Sequence, residues 1–355
     1  MQRIKKLFRP LIMIGSIGLS AFSGWQLSTS TGGRIFIERS QFELQERLVK
    51  VAAQYSGQPA LEEAIGIELA SEPRNWVVIN SLRKIAENRE VHLSVEIQED
   101  LENADASDNS FQNIATECVM CAWDMSSCQL SKAMACGLTV TMTPIGDIAG
   151  IAKAGTDYWK DEAVDEIDAA LSVIGLGATA MSVPSVGTSL IVKSGAGLLK
   201  FAHLSGNIPT PITRALRNAA REGIDWTGLR AVRGADDLKS VIRMDALTPV
   251  RNAATSIGEI AKRSSVDQGL YLLRISENVP ELRSISRVAE VWKDETAGFL
   301  KLVGKNRVVR TTLRLADEVY ALAFGLVGML ISLFWTTISL VVNRAAKRIN
   351  HWDSA

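Results

Sequence analysis

Four cysteines lie in one short stretch, Cys118, Cys121, Cys128 and Cys136, spaced C-x2-C-x6-C-x7-C. Thiols so arranged can form disulfides, hold a metal or exchange electrons. A zinc ribbon requires a second CxxC pair, which the sequence lacks. Redox exchange at Cys118-Val119-Met120-Cys121 lacks the βαβ surroundings of a thioredoxin-like motif. An even number of clustered cysteines behind an export-type N-terminus points to structural disulfides. Two bridges allow three connectivities, which the spacing does not choose between. Each closes a short loop, a constraint on the unfolded chain of about 2–3 kcal/mol. The expectation is therefore disulfides at all four cysteines, with no metal centre.

Other chemistry is sparse. HExxH, GxSxG and GxxxxGK[ST] are absent, and Gly195-Ala196-Gly197 has Lys200 where a dinucleotide loop needs glycine. His92, His203 and His351 are scattered. The acidic run Asp161-Glu162-Ala163-Val164-Asp165-Glu166-Ile167-Asp168 lacks the calcium-loop pattern. It reads better as a helix start, where carboxylates meet unpaired N–H groups and the positive dipole end. These observations point away from an enzyme and from any bound cofactor, without excluding a site of unfamiliar form.

The elements that position these residues begin with the charge pattern. The 355-residue chain carries 39 basic and 39 acidic side chains, and that balance argues against a nucleic-acid partner. Hydrophobic residues make up 47%, too many for a disordered chain. The zero sum is uneven. Residues 1–10 carry four basic groups and no acid, 34–117 are net −8, 206–319 are net +5, and 11–33 and 320–343 are uncharged. Tyr320 to Val342 would span about 34 Å as a helix, enough for the roughly 30 Å hydrocarbon core. Tyr320 and Trp335 suit its interfaces, and Arg344, Lys347 and Arg348 follow it as a basic tail. The first stretch, LIMIGSIGLSAFSGWQL, reads equally as a signal peptide, with Ala21-Phe22-Ser23 at a cleavage site, or as a signal anchor.

Between these ends the sequence reads as all-α, a helical extracytoplasmic body. Apolar residues recur at helical spacing over 34–55 and over Asn75–Asn88, the latter behind the start signal Ser71-Glu72-Pro73. Asn103–Asn113 is polar and reads as a loop. From Pro209 to Val319, short helices are separated by Gly or Pro at 223, 234, 249, 269, 280 and 304. Asp168 and Lys193 bracket 24 uncharged residues rich in Gly, Ala, Ser and Thr. A turn at Pro184-Ser185-Val186-Gly187 makes them a buried helical hairpin rather than a third span. The organisation is 1–33 signal or anchor, 34–117 acidic helical region, 118–136 cysteine cluster, 137–205 Gly/Ala-rich hairpin unit, 206–319 basic multi-helix region, 320–343 transmembrane helix and 344–355 cytoplasmic tail.

Thr143-Pro144-Ile145-Gly146-Asp147, Asp157, the acidic run, Ala170–Leu176 and Val192-Lys193-Ser194-Gly195-Ala196 together resemble the pre-toxin segment of bacterial polymorphic toxins, over residues 138–203. The resemblance implies a compact, mostly helical unit and brings no catalytic residues with it. The chain departs from that family by running on into a membrane anchor rather than a recognisable toxin domain.

The expected topology places residues 28–319 on the periplasmic side of an inner membrane, with both basic ends in the cytoplasm. The rival topology makes 169–192 a third span and returns 206–319 to the cytoplasm, which suits the basic residues Lys301, Lys305, Arg307, Arg310 and Arg314. Those five side chains read either as a solvated helix face or as a contact to anionic lipid. Expected partners are the bilayer and a membrane or envelope protein. The leading role is structural or interaction, ahead of a membrane-active protein inserting the 169–202 hairpin and an enzyme with an unrecognised site.

Overall fold

The computed structural model describes residues 31–124, 128, 144–160, 162–180, 188–228, 240–312 and 328. Among these the chain is helical, with a lone antiparallel bridge between Ile224 and Ile242 in place of any strand. The chain divides into two compact units, Met1–Arg47 with Arg310–Ala355, and Leu48–Val309. In the first unit the described part of helix α1 (Thr31–Tyr55) buries Leu44.

The first helices of the second unit are α2 (Gln58–Leu69), α3 (Trp76–Asn88), α4 (Val95–Asp108) and α5 (Phe111–Trp123). Helix α3 starts where the sequence predicts, because the Asn75 side chain accepts the Val78 N–H. It buries Val78, Ile79, Leu82 and Ile85 completely. Asn103–Asn113, expected as a loop, is mostly helix, and only Asn109 and Ser110 separate α4 from α5. The Ser110 side chain accepts the Asn113 N–H and starts α5, and Asn109 donates back to Asp105. Local polar contacts sustain a helix here that has little apolar pattern to betray it.

Helices α6 (Pro144–Trp159), α7 (Glu166–Ala180) and α8 (Thr188–Leu204) form an antiparallel trio. The acidic run starts a helix as expected: Asp165 Oδ1 accepts the Asp168 N–H at 3.1 Å. The 169–202 hairpin is present as α7 and α8, but its expected turn at 184–187 lies outside the described residues. Both helices are short for a bilayer, at 15 and 17 residues. No helix among the described residues is long and apolar enough to cross a membrane. The segments 1–33 and 320–343, expected to do so, lie outside them apart from residues 31–33, which open α1, and Gly328.

The rest of the body comprises α9 (Thr210–Gly223), α10 (Thr248–Arg263), α11 (Val266–Ile275), α12 (Val279–Trp292) and a short α13 (Thr296–Phe299) continuing into a π-turn at Leu300–Gly304. Pro211, Pro249 and Pro280 sit in the first turns of α9, α10 and α12, where a missing N–H costs nothing. Helix α10 crosses α8 at backbone contact. A β-carbon on Gly195 would overlap the Ala254 carbonyl, and one on Gly258 the Ile191 carbonyl. Elsewhere in the body, Ser81 on α3 donates to the Asp294 carbonyl and accepts the Gly298 N–H. Trp292 stacks on Phe299 with ring centroids 4.8 Å apart.

Candidate functional site: a charged seam inside the glycine-rich trio

The trio buries charge. Lys200 on α8 is 8% exposed in its side chain and lies 2.9 Å from Asp168 Oδ1 on α7. That oxygen has no aligned donor, so the contact is an electrostatic one. The ammonium donates to Ser172 Oγ at 3.0 Å, one helical turn further along α7. Helix α6 closes over this group with a glycine. A β-carbon on Gly150 would stand 2.7 Å from Asp168 Oδ2 and 2.8 Å from Lys200 Nζ. One turn earlier on α6, the Asp147 carboxyl packs on Gly175, where an added β-carbon would lie 2.6 Å from Asp147 Oδ2.

Asp147 is only 4% exposed. Burial pushes its pKa up to about 6, with Asp168 adding to the rise, while Lys200 and Lys193 pull against it. At the open end of the seam His203 Nε2 lies 2.9 and 2.8 Å from the two oxygens of Asp165. Burial raises the Asp165 pKa, but the His203 hydrogen bond and the backbone N–H groups of Asp168 and Ile167 outweigh it and hold the carboxyl below its usual range. Next to it, Glu166 takes both of its oxygens to Arg221 Nε on α9, at 2.8 and 2.9 Å.

This arrangement stores charge and does not expose it. A serine and a lysine at 3.0 Å have the distance of a catalytic pair. Ser172 is fully buried, however, and the Lys200 ammonium is held between its hydroxyl and the Asp168 carboxylate, so the pair lies beneath the surface. Removing one partner of such a pair strands the other and costs about 3–5 kcal/mol. Among the described residues no group of three or more His, Cys, Asp or Glu could hold a metal. A cavity of about 340 Å³ lies elsewhere, beside α3 and α4, with Arg83, His92 and Glu102 in its lining.

The sequence-predicted residues fall in several places. Cys121 and Cys128 form a disulfide, with Cys128 buried. Cys118 is also disulfide-bonded, and Cys136 lies outside the described residues. Lys301 pairs with the buried Glu68 at 2.5 Å. Lys305 reaches Glu277 and Glu281, each at 3.0 Å, and the Ile275 carbonyl. Arg307 hydrogen-bonds the Tyr55 hydroxyl, and Arg310 is exposed. Arg314, Tyr320, Trp335, Arg344, Lys347 and Arg348 lie outside the described residues.

Sequence reasoning did not find the seam. It took Asp168 and Lys193 as brackets of an uncharged run, and His203 as the end of an apolar segment. The available signal was the helical register Asp168, Ser172, Gly175 on α7, with Asp165 just before its start, matched by Lys200 and His203 on α8. Asp147 and Gly175 meet in this seam, with Asp168 close enough to act on the Asp147 carboxyl. No family model, no curated protein and no solved structure matches the chain.

Proposed function

We propose that the chain is a membrane-anchored protein of a bacterial-type cell envelope, with a helical, disulfide-stapled body outside the cytoplasm and a structural or protein-interaction role. In this reading 320–343 is the anchor, Tyr320 and Trp335 sit near its interfaces, and Arg344, Lys347 and Arg348 form a cytoplasmic tail. Residues 1–33 export the chain or add a second anchor. The bilayer and an envelope protein are its partners.

One observation carries the reading: the described body closes on its own charges and staples itself. Lys200, Lys301 and Lys305 each neutralise carboxylates within the body. The Cys121–Cys128 bridge is a form of cysteine that persists outside the reducing cytosol. A body of this kind serves as a scaffold or docking module. The test is alkaline extraction of membranes combined with thiol trapping. The proposal expects the full chain to stay in the membrane pellet, a chain ending at residue 319 to be released, and no thiol to react before reduction. Four reactive thiols, or release of the full chain, would contradict it.

A second reading, a membrane-active protein related to toxins, is favoured by the trio itself. Helix α7 is buried on nearly every side, and both α7 and α8 are rich in small residues, the composition of helices that pair closely in a bilayer. Dye release from vesicles by the exported protein tests it, and vesicles that stay sealed across pH 4–8 would remove it.

A further inference from the structure

Helix α6 is built inside out. The side it turns into the trio carries Asp147, Gly150, Ala154 and Asp157, all buried, two of them carboxylates. The opposite side carries Ile148, Ala152, Thr156 and Trp159, all exposed and none charged. Their spacing of four, four and three residues keeps them on one stripe. Ile148 is 59% and Trp159 76% exposed. In an ordinary surface helix the apolar stripe faces the core and the charges face water. That reversal favours an outer environment of α6 that is less polar than water.

We infer that the Ile148–Trp159 face of α6 lies in the interfacial layer of the bilayer, as a lipid-facing surface of the body. The inference rests on the membrane-anchored reading above. Three observations favour lipid as the occupant. The chain holds two long uncharged stretches, 11–33 and 320–343, towards its ends, so the anchored reading tethers the body to a bilayer. Trp159 closes the stripe beside Lys160, the pairing of amphipathic ring and snorkelling cation found at membrane interfaces. Lys153, at the edge of the stripe, is held by Asp157 at 2.6 Å and leaves the stripe itself uncharged. Insertion of this face is therefore apolar in origin. It should not depend on anionic headgroups, since Glu162 and the rest of the acidic run follow directly.

The experiment uses the full-length protein reconstituted in phosphatidylcholine vesicles, with Ile148→Cys, Ala152→Cys and, as an aqueous reference on α4, Glu102→Cys, each carrying a nitroxide. Cys118, Cys121 and Cys128 are held as disulfides and do not label, and the unsubstituted protein measures any labelling at Cys136. The expected result is an oxygen-to-nickel-chelate accessibility ratio severalfold higher at 148 and 152 than at 102, unchanged between 0.05 and 0.5 M salt. Equal ratios at all three sites would overturn the inference. Protection of 148 and 152 from both relaxants would also overturn it, by assigning the face to a protein partner or a second copy. Flotation of the same vesicles separates the two levels of argument. Protein that floats with water-exposed α6 labels removes this inference alone, whereas protein that fails to float removes the anchored reading with it.

Discussion

Helices α9 and α12 and the α6–α8 trio solve the burial problem in opposite ways. Helix α9 hides Ile212, Leu216 and Ala220 and shows Arg214, Arg217 and Arg221 to solvent. Helix α12 hides Leu282, Ile285 and Val288 and shows Arg283 and Arg287. Their stability comes from apolar area, about 25 cal/mol per Å² removed from water. The trio instead seals Asp147, Asp168 and Lys200 between glycines and turns Ile148 and Trp159 outward. Its charges are worth little as attraction and much as a liability if one partner goes missing. The difference teaches that the first region is tolerant and the second conditional, and substitutions should separate them.

The largest effect is expected where the two styles meet. Gly258→Val places a side chain against the Ile191 carbonyl at the α8–α10 crossing, where only backbone can move. It should cost more than about 4 kcal/mol, a range tied to backbone displacement and overpacking. Urea unfolding of the detergent-solubilised chain measures it, and a loss under 1 kcal/mol would deny the close crossing.

Next comes Lys200→Met, which strands Asp168 and should cost about 3–5 kcal/mol. In the α9 region the matching change, Arg221→Ala, removes a pair whose arginine is 60% exposed. It should cost no more than about 1 kcal/mol, because solvent screens it. Comparable losses from the two would erase the contrast between the regions.

Between them lies Asp147→Asn, read through pH. Burial raises the folded-state pKa of Asp147 from 3.8 to about 6. The folded state thus holds the proton more tightly than the unfolded one. The stabilisation is complete below the unfolded value and is lost as pH rises through about 6. The wild-type unfolding equilibrium should grow about tenfold between pH 5 and pH 7.5 through this group, and Asp147→Asn should remove that component. Identical pH profiles for the two proteins would deny Asp147 a buried site.

Much of the fold was legible where local chemistry and burial agree. Apolar spacing over Asn75–Asn88 announces α3, Pro249 and Pro280 announce α10 and α12, and the acidic run announces α7. Helix α4 was illegible over Asn103–Asp108, because Leu101 and Ala104 are its buried residues and polar contacts carry the rest. The seam was illegible for a different reason. Periodicity places apolar residues inward, and α6 obeys the reverse rule. Pairing Lys200 with Asp168 takes two helices whose register only the packing supplies.

The most direct test of the buried seam is a double-substitution cycle at that pair. Lys200→Met and Asp168→Leu are made singly and together in the full-length chain, and each unfolding free energy is measured in urea at pH 7. The account predicts that each single change costs about 3–5 kcal/mol, while the double change recovers most of the loss because neither charge is left stranded. Additive losses, with the double variant as destabilised as the two single ones combined, would contradict it.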